Sequence, residues 1–145
     1  LTAHAGESAG PESIRAALSI GAERIGHGLT AIQDPALVAE LAEKQIPIEI
    51  CLSSNLRTGC CPSLASHPLK SYLDAGLLVT LNTDDPAMFE TDLLGEYRVA
   101  AQLGFSPAEL ARLVEASFAA ALLPQAERQA YLDLFRGQAQ ALGLL

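Results

Sequence analysis

The sequence has no tryptophan and only 5% aromatic residues, so it offers no evident stacking platform for nucleic-acid bases. Positive charge is also scarce. Nine Lys and Arg stand against seventeen Asp and Glu, a net charge of -8. Basic residues such as Arg15 and Arg24 lie apart and make no patch, which argues against a phosphate backbone as partner. No apolar run approaches the roughly 20 residues that a membrane-spanning helix needs, and no membrane association is expected. Cysteine is limited to Cys51, Cys60 and Cys61, an odd number whose spacing fits no zinc ribbon. Free thiols in a reducing compartment, and hence a cytoplasmic location, are expected. Pro and Gly are dispersed, and there is no repeat, linker or low-complexity stretch.

What is present is a globular composition, 50% hydrophobic and 18% charged over 145 residues, enough for one domain with a core. Short apolar runs alternate with helical patterns, the signature of βα units on a parallel sheet. Strands are expected over Leu1 to Ala5, Glu23 to Gly28, Pro47 to Leu52 and Leu77 to Asn82. Pro11 and Asp34-Pro35 open the first two helices, and Pro68 opens another that ends near Gly76. A long polar loop is expected from Ser53 to Ser66. Asp92 to Leu103 reads as a helix, and Ser106-Pro107-Ala108-Glu109 as a capping box. Behind that box, Leu110, Val114, Phe118 and Leu122 recur every fourth residue, and Gln125 to Leu142 is an Ala- and Leu-rich helical tail.

Four βα units followed by extra helices are half of what a (β/α)8 barrel needs, since a complete one takes roughly 250 residues. The fold class is therefore α/β, the C-terminal half of a TIM barrel, with residues 1–145 a single partial domain. A doubly wound sheet is the alternative, but no Gly-rich phosphate fingerprint follows the first strand. The chain opens on Leu1 rather than Met, so it is expected to be a piece of a longer protein, with upstream targeting left open. A half barrel would leave two long strand edges and one apolar face uncovered. Pairing with the absent first half or with another chain is expected to cover them.

Each expected strand ends in residues that can do chemistry. His4 and Glu7 follow the first, His27 the second, Ser53, Ser54 and Asn55 the third, and Asp84 and Asp85 the fourth. Singly, each has a plainer explanation: a hydrogen-bonded loop histidine, or an Asp that forms a turn before Pro. Together, at successive strand ends of a β/α barrel, they converge on the mouth where active sites sit. His and Asp are zinc ligands, and zinc lowers the pKa of a bound water to about 7. A Glu kept protonated by burial could act as a general acid beside it, and a second His could orient or deprotonate the water.

The motifs Thr2-Ala3-His4-Ala5-Gly6-Glu7, Arg24-Ile25-Gly26-His27-Gly28 and Leu81-Asn82-Thr83-Asp84-Asp85-Pro86 resemble the adenosine deaminase family in order and approximate spacing. So does Glu49-Ile50-Cys51-Leu52-Ser53-Ser54-Asn55, followed by Thr58-Gly59 and His67-Pro68-Leu69. The resemblance implies zinc-dependent hydrolysis of a 6-aminopurine nucleoside, adenosine or deoxyadenosine, to the 6-oxo product and ammonia. By position, it makes His4 and Asp84 zinc ligands and Glu7 the acid that protonates purine N1. It makes His27 the histidine that orients the zinc-bound water and serves as its base, and Asp85 the aspartate that bonds purine N7.

One departure bears on activity. The family's His-x-His pair on the first barrel strand has no counterpart here, and His67 lies in a segment the family uses structurally. Two further His ligands are therefore expected from the absent half, and these 145 residues alone are expected to be inactive. Leu52 and the Ala87-Met88-Phe89 stretch also vary from many family members. Adenine or aminodeoxyfutalosine deamination, or another metal-dependent amidohydrolase reaction, are the alternatives. A module that only binds a nucleoside or a partner protein is a third reading.

Overall fold

Side-chain caps and prolines set where the helices begin. Asp34 accepts hydrogen bonds from the Ala36 and Leu37 backbone N–H groups, with Pro35 at the first helical position. Ser106 and Glu109 form the expected capping box, and the Asp92 carboxylate accepts from Gly95 N–H. A cap of this kind contributes about 1 kcal/mol, enough to fix a boundary that packing alone leaves loose.

The computed structural model describes residues 1–145. Four strands, β1 (Thr2–Ala5), β2 (Arg24–His27), β3 (Ile48–Ile50) and β4 (Val79–Leu81), form one parallel sheet in the order β1-β2-β3-β4. Helices α1 (Pro11–Ser19), α2 (Pro35–Lys44), α3 (Leu52–Arg57) and α4 (Leu69–Asp74) lie between the strands, with 3-10 turns at Leu29–Gln33 and Leu64–Ser66. Helices α5 (Leu93–Gln102), α6 (Pro107–Ala119) and α7 (Gln125–Ala141) follow β4. This is half of a (β/α)8 barrel with a helical extension. No helix is long and apolar enough to cross a membrane.

Two strand residues in every pair take opposite faces. Ile25, Ile48, Ile50, Val79 and Leu81 join the buried cluster with Ile14, Leu37, Leu41, Leu69 and Leu73 of the helices. The opposite face carries Thr2, His4, Arg24, Gly26, Glu49 and Thr80, matched across the strands by register. The expectation of an uncovered apolar face is therefore wrong. The open face is polar, with Arg24 paired to Glu49 at 2.9 Å, because apolar residues occupy only the helix-facing half of each strand. The free edges are also short, four residues in β1 and three in β4.

Two further expectations fail locally. The segment from Ser53 is not a loop: α3 runs from Leu52 to Arg57, and Leu52, Ser54 and Asn55 are buried. Its polar side chains point inward to partners, which a reading by polarity takes for solvent exposure. The four-residue repeat overruns α6, which stops at Ala119 and leaves Leu122 84% exposed. Phe118 of the stripe packs against α7, where its ring stacks on Tyr131.

Candidate active site

The carboxy-terminal ends of the four strands meet around a cavity of about 300 Å³ lined by His4, Gly26, His27, Glu49, Cys51, Asn82, Thr83 and Asp84. His4 stands on β1 directly beside Gly26 of β2. A Cβ at position 26 would fall 2.5 Å from His4 Cδ2, so the imidazole lies in space that only glycine leaves free. Alternation along β2 would turn the residue after Gly26 toward the helices, as it does Ile25. His27 escapes this because its backbone is left-handed, φ 65°. Its ring, 2% exposed, meets the His4 ring edge to face with centroids 4.7 Å apart. His27 Nε2 is 3.3 Å from His4 Nδ1 and 3.5 Å from Glu7 Oε2.

Asp84 is held in a similar way. It too is left-handed, φ 58°, in the turn after β4, and Ser54 Oγ on α3 donates to its Oδ2 at 2.7 Å. Left-handed backbone at a non-glycine residue costs of order 1–3 kcal/mol and persists only where surroundings impose it. Here it occurs at two of the residues lining the cavity. The turn after His27 is clamped by the fully buried Tyr72, whose hydroxyl donates to Gly28 O and Leu29 O and accepts from Ile32 N–H. Behind His27, Asn55 Nδ2 is 3.2 Å from His27 Nδ1, and Asn55 Oδ1 is 3.2 Å from His67 Nε2. His67 Nδ1 accepts from Leu69 N–H at 3.1 Å.

Burial lowers the His27 pKa, against the raising effect of the nearby Glu7 carboxylate. Burial pushes His67 down to about 4, so both rings are neutral near pH 7. Cys51 moves the other way. Burial first, then Asp84, Glu96 and Glu49, raise its thiol to about 12 and deny it thiolate character.

Two groups of donor atoms lie within 4.8 Å of one another: His4, Glu7 and His27, and His27, Cys51 and Asp84. His4 and Asp84 thus line one cavity but share ligand-distance groups only through His27. An imidazole and a carboxylate fit zinc chemically, and Ser54 already orients the carboxylate as an outer-shell partner does. Two such ligands are fewer than a catalytic zinc takes from protein.

Of the residues expected from sequence, His4, His27 and Asp84 line the cavity, and Glu7 reaches His27 from its edge, with Cys60 Sγ 3.9 Å from its other oxygen. Asp85 does not line it. Its Oδ1 accepts from Met88 N–H at 2.8 Å, the turn-forming role weighed for an Asp before Pro. The sequence placed Ser54 and Asn55 at the end of the third strand and Glu49 in the same motif, but assigned none of them an individual role.

Imidazoles and carboxylates from successive strand ends, converging on the mouth of half a β/α barrel, place the chain in the class of barrel proteins that carry their site at this face. Within it the family is specific. The adenosine deaminase family model matches residues 1–137, and the chain belongs to that family. An adenosine deaminase from Serratia proteamaculans is 49% identical over 139 residues, 94% of this chain and 42% of its own length. The crystal structure of an adenine deaminase from Arthrobacter aurescens superposes with TM-score 0.91 at 33% identity, over 96% of this chain and 43% of the other. An amidohydrolase from Burkholderia ambifaria solved with bound Zn superposes with TM-score 0.88 at 25% identity, over 98% and 41%. The chain therefore spans less than half the length of these relatives.

Proposed function

We propose that this chain supplies the second half of a zinc-dependent purine aminohydrolase, one that converts adenosine or deoxyadenosine and water to the 6-oxo nucleoside and ammonia. The observation that carries the reading is the single cavity shared by His4, His27 and Asp84, with Glu7 3.5 Å from His27. The relatives' names support the chemistry. The zinc-containing neighbour supports the metal.

His4 and Asp84 would hold the ion together with ligands from outside residues 1–145. Bound there, zinc supplies a Lewis acid that makes water nucleophilic near neutral pH. The chain's own residues do the rest. Glu7 gives a proton to purine N1, which makes C6 electrophilic. His27 orients the attacking water; the resemblance also makes it the water's base, a role that the hydrogen bonds behind its ring oppose. The resemblance gives Asp85 the contact to purine N7; it lies outside the cavity with Oδ1 held by Met88 N–H, so only Oδ2 is free to make that contact. A set held in place by its own hydrogen bonds favours the tetrahedral geometry at C6 over the planar ground state. The three free thiols support a reducing, cytoplasmic setting. Residues 1–145 act as one partial domain, small-molecule purine is the partner, and pairing with a first half completes the ligand set.

The adenine deaminase of similar fold makes the free base a second candidate substrate. Measurement of ammonia release from adenosine, deoxyadenosine and adenine by the complete protein, both barrel halves present, with and without Glu7→Gln, tests the proposal. Loss of about a hundredfold or more in kcat with zinc retained is expected for the variant. Undiminished turnover in Glu7→Gln would reject the acid, and inert purines would reject the reading.

A further inference from the structure

The hydrogen bonds behind His27 have a direction. Leu69 N–H can only donate, so His67 Nδ1 carries a lone pair. His67, neutral because it is buried, therefore has its proton on Nε2 and donates it to Asn55 Oδ1. The carboxamide orientation is fixed in turn, and Asn55 Nδ2 donates to His27 Nδ1. That leaves His27 with its proton on Nε2, the nitrogen that faces His4 Nδ1 and the Glu7 carboxylate. Reversing any one bond sets two donors or two lone pairs against each other at the next.

We infer that Asn55 and His67 are positioning residues that lock His27 as the Nε2–H tautomer, so that it faces the cavity as a hydrogen-bond donor rather than as a base. The tautomer stands on the chain's own hydrogen bonds. Its consequence for deamination rests on the proposed function. A donor at Nε2 fixes an attacking water through the water's oxygen. The proton that water loses must then pass to another acceptor, and the Glu7 carboxylate, 3.5 Å from Nε2, is placed to take it and return it to purine N1. Base chemistry at Nε2 would instead need the opposite tautomer, which the fixed donor of Leu69 opposes through three links.

The arrangement is built rather than incidental. Asn55 is fully buried, His67 is 6% exposed, and both contacts to Asn55 are made inside the protein. Asn55 sits on α3 and His67 just before α4, so two separate elements must hold register for the polarity to reach β2.

The test is long-range proton–nitrogen correlation on the complete protein, both barrel halves present, labelled with 15N-histidine and read beside steady-state kinetics. Wild type should show the Nε2–H pattern for His27 and for His67. Asn55→Asp is nearly isosteric but only accepts, so it forces a proton onto His27 Nδ1. It should lose the neutral Nε2–H pattern, for the Nδ1–H tautomer or the imidazolium, and drop kcat by about a hundredfold or more, since a wrong protonation pattern at an active-site histidine is that costly, while KM barely moves. His67→Gln, which keeps a donor toward Asn55 Oδ1, should retain the wild-type pattern and most of kcat. A wild-type His27 protonated on Nδ1 would overturn the inference, even if the variants fail to fold. So would an Asn55→Asp protein that loses the neutral Nε2–H pattern at unchanged kcat. Absence of purine turnover in wild type with the Nε2–H pattern intact would reject the proposed function and leave the tautomer lock standing.

Discussion

Gly26 and His4 occupy adjacent register positions on β2 and β1, and the missing Cβ of one is the space taken by the ring of the other. An alanine at position 26 must displace the imidazole, because its methyl would sit 2.5 Å from Cδ2. The strand itself tolerates alanine. Gly26→Ala is expected to weaken zinc binding in the protein by about tenfold or more, with far-ultraviolet circular dichroism unchanged. Metal content after dialysis reads the outcome, and full zinc retention would show that His4 is not a ligand.

Ser54→Ala removes the 2.7 Å donor that orients Asp84 Oδ2 and leaves α3 otherwise intact. Outer-shell losses of this type cost about 10–100-fold in metal affinity. Competition with a chelator should show a drop in that range.

His67 gives a pH signature. Its unfolded imidazole takes up a proton near 6.5, its folded one only near 4. Between those values the unfolded state binds more protons, so stability falls as pH falls from 6.5 toward 4, by about 3 kcal/mol at most. Above 6.5 this histidine contributes no slope. Urea melts from pH 7 to 4 on wild type and His67→Gln should diverge in that window. Parallel curves would refute the assignment.

Tyr72→Phe tests the clamp on the turn after His27. The hydroxyl donates to Gly28 O and Leu29 O and accepts from Ile32 N–H, all in the interior. Its removal strands buried backbone groups, at about 1–3 kcal/mol. Denaturant midpoint and hydrogen exchange at Ile32 N–H both report it, and a midpoint equal to wild type would show that the turn holds without the clamp.

The four strand segments and most helix starts were legible from local rules. Asp34-Pro35 and Ser106 to Glu109 act within four residues, and the structure repeats them. The α3 segment was not legible, because its serines and asparagine are polar residues that fold inward. Polarity alone assigns them to solvent. What makes Ser54 and Asn55 interior is contact with Asp84, thirty positions on, and with His27, twenty-eight back.

Family, parallel sheet and the residue types at each strand end are legible in the amino-acid order alone, because caps, apolar alternation and short motifs are written within a few positions. Tertiary structure decided which of those residues meet. Left-handed turns at His27 and Asp84 aim their side chains into the cavity, while Asp85, one residue on, spends an oxygen on its own turn. The direction of the His67–Asn55–His27 relay was also settled only in space, because the polarity of a hydrogen bond depends on which groups face each other after the strands have paired.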